Sequence, residues 1–263
     1  MRVMSFASLR IAAGFAAMLV LAAPALGIEP SAIESYLVVP VDGVDKTLTL
    51  EDAMAALSIP SVSIALIDGD RIAFAQAYGA SSTPETIYQA ASLSKFVAAV
   101  GAMRLVEVKR LDLDADVNAS LATWKVPQNG FDKDHPVTLR GLLSMTAGIG
   151  VPGFLGYAIG DEVPNLTQIL YGVPPANSPP ITVIAEPGSV YRYSGGSYEV
   201  AEALMVDTMG TSFPDLMKEV VLDPAGMSRS SFATALSADL DRKAMHGHLA
   251  DGSEIPGGYH LFP

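Results

Sequence analysis

Hydrophobic and polar positions change rhythm several times along the chain. From Ser61 to Ile67 they alternate, with Val62, Ile64 and Leu66 on one side. Asp68-Gly69 follows as a turn signal, and Ile72, Phe74 and Tyr78 carry on the alternation. This predicts a β-hairpin, since successive side chains of a strand point to opposite faces. The rhythm then becomes helical. From Ser92 to Val108 the residues Phe96, Val97, Val100, Met103, Leu105 and Val106 are apolar nearly all round, which predicts a helix enclosed at the centre of a domain. Leu139, Leu142 and Leu143 share one side of a helix over 137–147, stopped by Gly148 and Gly150. Two more helices are expected, over 198–209 and 213–221, the second ended by Asp223-Pro224. A short helix is expected over 50–57, with the rest of 28–60 irregular. The Pro- and Gly-rich stretch 172–189 predicts an irregular surface loop. The tail, 244–263, is polar, Gly-rich and without a period.

The first 27 residues differ from the rest. Arg2 and Arg10 give a basic start, Ile11–Ala23 is a 13-residue apolar run, and Ala23-Pro24-Ala25 offers small residues for cleavage. That run is too short to span a bilayer comfortably, so residues 1–27 are expected to be a signal peptide. Export to a periplasm or beyond follows as an expectation. The chain has no Cys, which removes lipid attachment through cysteine, disulfides and thiol chemistry. Net charge is −12 overall and −14 over residues 28–263, because the leader holds two Arg and no acid. Such acidity argues against nucleic acid and anionic membrane surfaces as partners. Residues 28–263 are numerous enough to bury a substantial core as one domain.

Candidate chemistry begins at Ser92-Leu93-Ser94-Lys95. A serine three residues before a lysine on a helix shares its face, one turn away. A serine hydroxyl is a poor nucleophile until a base takes its proton, and an amine in a partly dry site can serve as that base. Serine at the head of a helix is also a common N-cap. The two roles are compatible, since a helix N-terminus favours an anion there. Leu111-Asp112-Leu113-Asp114-Ala115-Asp116 alternates acids with apolar residues, but a calcium loop would need Gly where Val117 stands and Glu where Thr123 stands. A solvated turn is expected instead. His246 and His248 lack the further ligands at fixed spacing that a metal site wants, and no metal or other cofactor is expected. His135 and His260 are expected in loops.

Several stretches resemble one superfamily. They are 61–67, Ala90-Ala91-Ser92-Leu93-Ser94-Lys95, Leu111-Asp112-Leu113-Asp114, 138–148, Pro187-Gly188, Tyr193-Ser194-Gly195-Gly196 and 222–227, in order and with fitting spacing. The set is similar to the serine β-lactamase and penicillin-binding-protein group, on its class C β-lactamase and family VIII esterase side. The resemblance implies an α/β (α+β) domain of the β-lactamase/transpeptidase-like type over residues 28–263. In that fold an antiparallel sheet is flanked by helices and joined by an all-helical subdomain. It also implies Ser92 as nucleophile and Lys95 as its partner. Tyr193 maps onto the tyrosine of the second motif, where its phenol would shuttle the Ser92 proton. Gly195 stands where many relatives have Asn, in a substrate-binding position. Without that amide, recognition of β-lactams and peptides should weaken more than that of simple esters.

The family's third motif, Lys-Thr-Gly or His-x-Gly, is not found. His246-Gly247-His248 has the wrong order. The expectation is a chain incomplete at its C-terminal side, with one visible hairpin and an unclosed sheet. Three readings follow. The first is a carboxylesterase-like serine hydrolase acting on a small ester or amide substrate. The second is a β-lactamase or penicillin-binding D,D-peptidase using the same Ser92. The third is a non-catalytic truncated homologue.

Overall fold

A computed structural model of the protein describes residues 30–79 and 82–263. The expected signal peptide, 1–27, lies outside the described residues. The chain divides into two compact units, one of residues up to Ala53 together with Ala65–Ala75, the other of Met54–Ile64 and Gln76–Pro263.

The smaller unit holds a hairpin where the sequence pattern predicts irregular chain. After α1 (Pro30–Ser35), strand β1 (Leu37–Val41) pairs antiparallel with β2 (Val44–Leu48), Val41 opposite Val44. The two linking residues, Asp42 and Gly43, have φ of 54° and 76°, as the tight turns of hairpins require. Helix α2 (Leu50–Ala56) starts next, where the Asp52 N–H donates to Thr49 Oγ1 at 3.1 Å. The expected hairpin is present as β3 (Val62–Asp68) and β4 (Arg71–Tyr78), so the described residues hold two hairpins rather than one. Val62, Ile64 and Leu66 are half-buried on one side, while Ile72 at the tip is exposed.

The larger unit is mainly helical: α3 (Leu93–Glu107), α4 (Val117–Ser120), α5 (Leu139–Leu143), α6 (Leu166–Tyr171), α7 (Gly195–Met209), α8 (Phe213–Met217) and α9 (Ala238–Asp241). A π turn over Lys218–Leu222 continues α8. Side chains set the helix starts: Thr138 accepts from Gly141 N–H, Asn165 and Gln168 form a capping box, and Ser194 accepts from Ser197 N–H. Gly172 and Gly210, at φ 61° and 67°, close α6 and α7.

The core is built around α7. Val200, Ala201, Ala203, Leu204 and Met205 are buried with Ala102 and Leu105 of α3, Leu139 and Leu142 of α5, and Leu216 and Met217 of α8. Two expectations are corrected here. Helix α3 is not enclosed: Leu93 and Phe96 are 76% and 75% exposed, and Val100 and Met103 are exposed too. Only its Gly101–Ala102–Leu105 side is buried among the described residues; Met205 of α7 and Met217 of α8 lie against Gly101 there, and the π turn also packs on this helix. The 172–189 stretch is not a simple surface loop either. Ile181 and Val183 are buried, Val183 bridges Ile149, and Gly150 N–H and Ile184 N–H donate to Thr182 and Gly148 carbonyls. Burial of alternate apolar residues in a Pro-rich segment outweighs its irregular backbone.

The Leu111–Asp114 and 138–143 stretches interlock. Arg140 N–H donates to Leu113 C=O, and its guanidinium grips the Asp114 carboxylate at 2.7 and 2.9 Å. The guanidinium's hydrogen bonds hold the Asp114 carboxyl below its ordinary range. The acids of this turn serve the turn itself: Asp116 caps α4 and Asp112 accepts from Asp114 N–H.

Candidate active site

Ser92 stands at the head of α3, with φ −68° and ψ −10°, and its hydroxyl caps nothing. The N-cap role is therefore unused, which leaves the oxygen free for other partners. The backbone reaches Ser92 through a tight coil: Leu93 and Ser94 N–H groups donate to Ala90 and Ala91 carbonyls, and Ala91 has φ 44°. A left-handed alanine is strained, and such strain persists only where neighbours enforce it. No described residue accepts the backbone N–H of Ser92.

Two side chains converge on the Ser92 oxygen. Lys95 Nζ donates to it at 3.3 Å, one helical turn on. Tyr193 Oη, 101 residues away in sequence, donates to it at 2.6 Å. The ammonium lies 5.4 Å from the Tyr193 ring centroid and 5.8 Å from that of Tyr198. Once ionised, Tyr193 can accept from the Ser92 O–H, which favours the phenolate most; burial opposes this, and the nearby Lys95 ammonium supports it. The phenol is accordingly more acidic than an ordinary tyrosine. Tyr198 is pushed the other way, by burial and then by the neighbouring Tyr193, and its hydroxyl donates to Leu143 C=O at 3.2 Å.

Tyr193 owes its place to a second segment. Arg192 N–H donates to Met145 C=O, Ser194 Oγ to Gly150 C=O, Gly195 N–H to Pro152 C=O and Gly196 N–H to Val151 C=O. The chain from 192 to 196 is thus stitched to 145–152. Met145 and Val151 both have φ 58°, costly for a side chain and most of all for a β-branched one.

Gly195, expected at the substrate, is buried, and its N–H is already engaged. A Cβ added there would meet Phe154 Cε2 at 3.1 Å and Gly153 Cα at 3.2 Å. Position 195 is thus closely packed against the 153–154 segment. The histidines lie elsewhere in their own arrangement. His246 Nδ1 is 2.6 Å from Glu254 Oε1, and His248 Nδ1 is 2.9 Å from the His246 carbonyl oxygen. His135 sits beside Glu186 at 3.1 Å, and His260 Nδ1 beside the Leu155 carbonyl at 3.1 Å. No group of three or more acids and histidines placed to hold a metal ion exists among the described residues.

Sequence reasoning missed Glu199 and Glu202. They lie one turn apart on α7, among Val200, Ala201, Ala203 and Leu204, and both are half-buried. Burial pushes the Glu202 carboxyl up to about 7. Glu199 is raised as well, by burial and by Glu202, against a pull from Lys95. Two acids at helical spacing in an otherwise apolar run were the available signal.

Residues 48–262 match the family model described as Beta-lactamase. The chain belongs to the Beta-lactamase family. Among curated proteins it is similar to Protein flp of Staphylococcus aureus (strain MRSA252), 25% identical over 181 residues, 66% of this chain and 35% of that protein. The chain thus spans about a third of the length of the curated relatives it matches. Among solved structures it is similar to an octameric penicillin-binding protein homologue from Pyrococcus abyssi. That match has a TM-score of 0.63 and 25% identity, and covers 81% of this chain and 50% of the other. EstCE1, described as a hydrolase with promiscuous acyltransferase activity, shares the fold. Its TM-score is 0.62 at 24% identity, over 80% of this chain and 60% of that one. The β-lactamase/transpeptidase-like fold follows from these likenesses.

Proposed function

We propose that the chain is a serine hydrolase that forms an acyl-enzyme on Ser92, of the carboxylesterase type and acting on small esters. The observation that carries this reading is the convergence of Tyr193 Oη and Lys95 Nζ on one serine oxygen, at 2.6 and 3.3 Å. At rest the phenol donates to Ser92. Once Tyr193 ionises, helped by the Lys95 charge, the phenolate accepts the Ser92 proton as Oγ bonds to the substrate carbonyl carbon. The carbonyl oxygen takes up the negative charge, with the Ser92 N–H as one donor. Collapse breaks the bond to the leaving alkoxide, which receives the proton from Tyr193. Water then gives its proton to Tyr193 and its oxygen to the acyl carbon, and Ser92 leaves with the proton restored.

The lack of an amide at position 195 favours esters, whose recognition needs no such partner. A β-lactamase or D,D-peptidase activity is the second reading, supported by the likeness to a penicillin-binding protein homologue. The test is fluorophosphonate treatment followed by mass spectrometry. A mass increase on Ser92, absent in Ser92→Ala, is expected. A folded sample that stays unlabelled overturns the proposal in favour of a non-catalytic homologue. Stable, slowly released labelling of Ser92 by a fluorescent penicillin would move the assignment to the second reading.

A further inference from the structure

Segment 259–262 has no place in the chemistry above, yet it joins the two arms that form the site. One arm is the coil leading into Ser92, with Gln89 three residues before the serine. This coil is exposed at Gln89 and Ala90 and strained at Ala91, with φ 44°. Backbone of that kind relaxes unless its surroundings hold it. The other arm is the 150–157 stretch. Its Gly150, Pro152 and Val151 carbonyls accept from Ser194, Gly195 and Gly196, directly after Tyr193.

Leu261 pairs antiparallel with Tyr157. Its N–H donates to Tyr157 C=O at 2.7 Å, and Tyr157 N–H donates to Leu261 C=O at 2.9 Å. Gly156 permits this approach: at φ 75°, a Cβ there would meet Phe262 Cζ at 2.7 Å and His260 Cβ at 3.0 Å. Both partners are braced from behind. Asn177 donates its N–H to Tyr157 Oη and its side-chain amide to Gly156 C=O, each at 2.9 Å. The buried Tyr259 donates its phenol to the Asp241 carboxylate at 2.6 Å. Between them, His260 touches both arms. Its carbonyl accepts from Gln89 Nε2 at 2.7 Å. Its ring Nδ1 lies 3.1 Å from Leu155 C=O, which can only accept, so Nδ1 carries the proton.

We propose that His260 is a positioning residue: it ties the coil that carries Ser92 to the stretch that holds Tyr193, and so keeps the serine oxygen within hydrogen-bond reach of the phenol. The tie consists of two bonds in series, Gln89 to the His260 carbonyl and the His260 ring to Leu155. A Ser92–Tyr193 bond of 2.6 Å leaves little room for drift. A misplacement of about 1 Å between reacting groups can cost on the order of 10²-fold in rate. The effect on rate rests on the serine-hydrolase reading, but the hold on the Ser92–Tyr193 pair does not.

The experiment compares His260→Ala, His260→Asn and Gln89→Leu in the intact chain, with Tyr259→Phe as control. One readout is the rate of fluorophosphonate labelling at Ser92. The other is the ionisation of Tyr193, followed by NMR of isotopically labelled tyrosine rings, its signal being the one lost in Tyr193→Phe. His260→Ala and Gln89→Leu each break one link and should slow labelling by about tenfold to a hundredfold. Each should also move Tyr193 ionisation up toward that of an ordinary tyrosine, because the bond with Ser92 is the main cause that lowers it. Asn at 260 offers an amide N–H where Nδ1–H stood and should restore both readouts. Links in series make the double variant no slower than the slower single one. Tyr259→Phe loses the Asp241 bond beside His260 and should lower stability while leaving both readouts in place. Unmoved readouts in His260→Ala and Gln89→Leu overturn the proposal, as do additive losses in the double variant, an asparagine variant as slow as the alanine one, or equal losses in Tyr259→Phe. If His260→Ala does not fold, Gln89→Leu, which alters an exposed side chain, decides alone by the same two readouts. A parent whose Ser92 never labels, but whose Tyr193 ionisation moves in these variants, would sink the hydrolase reading and leave the positioning role standing.

Discussion

Replacing Glu202 by Gln removes one ionisable group and little else, since the amide has nearly the shape of the protonated carboxyl. In the folded chain burial moves this carboxyl from an ordinary value of 4.5 up to about 7. The unfolded chain therefore releases the Glu202 proton earlier than the folded chain as pH rises. Between those two values the native state binds more protons than the unfolded state, so stability falls with increasing pH. The contribution is fully present below 4.5 and is lost as pH passes about 7. At ~1.4 kcal/mol per pH unit of difference, the loss reaches about 3 kcal/mol. Glu199 is raised too and is relieved when Glu202 is gone, so its change has the same sign. The chain carries its own reporter: Trp124 is its single tryptophan and is buried, so unfolding exposes it to water. Urea titrations followed by Trp124 emission, at about pH 5 and about pH 8.5, give the unfolding free energies. The parent should lose about 3 kcal/mol more than Glu202→Gln between the two conditions, with equal denaturant slopes. Parallel losses in the two proteins would refute the argument that burial of this carboxyl carries a cost.

Three further outcomes are expected. Tyr193→Phe keeps the ring beside Lys95 but removes the oxygen 2.6 Å from Ser92. The rate of Ser92 labelling by a fluorophosphonate should fall by about 10²–10⁴, and an unchanged rate would remove Tyr193 from proton transfer. Asp207→Ala strips the Ala122 and Thr123 N–H groups of their acceptor and should cost about 1–3 kcal/mol in a urea titration; a change near zero would mean that water replaces the carboxylate fully. Gly148→Ala would place a Cβ 1.9 Å from the Ala185 carbonyl oxygen at φ 69°, so a loss of more than about 2 kcal/mol is expected by thermal unfolding.

Local order was the most legible part of the sequence. The β3–β4 hairpin, the start of α3 and the apolar run of α7 follow from period, turn residues and caps, all of which act within a few neighbours. The approach of Lys95 to Ser92 is likewise a matter of one helical turn. Tyr193 is different, since no local rule joins residues 101 positions apart; only the resemblance placed it there. The β1–β2 hairpin was missed although Asp42-Gly43 announces it, because Val38 and Val44 face solvent and give no buried stripe. Which side of α3 is covered depends on α7 and the π turn, and a helix apolar all round does not record that choice. The buried pairing of 148–150 with 182–184 escaped for a similar reason: its prolines signal broken backbone, while its burial is decided by Ile149.

Ala91, Met145 and Val151 all adopt left-handed backbone, at about 1–3 kcal/mol each. One precedes Ser92, and the carbonyls of the other two hold the segment that carries Tyr193. Selection for heat tolerance would find relief there first, since glycine removes the penalty at any of the three. The same exchange would slacken the grip on Ser92 or Tyr193, so hardier descendants of this chain should hold the two oxygens less firmly together.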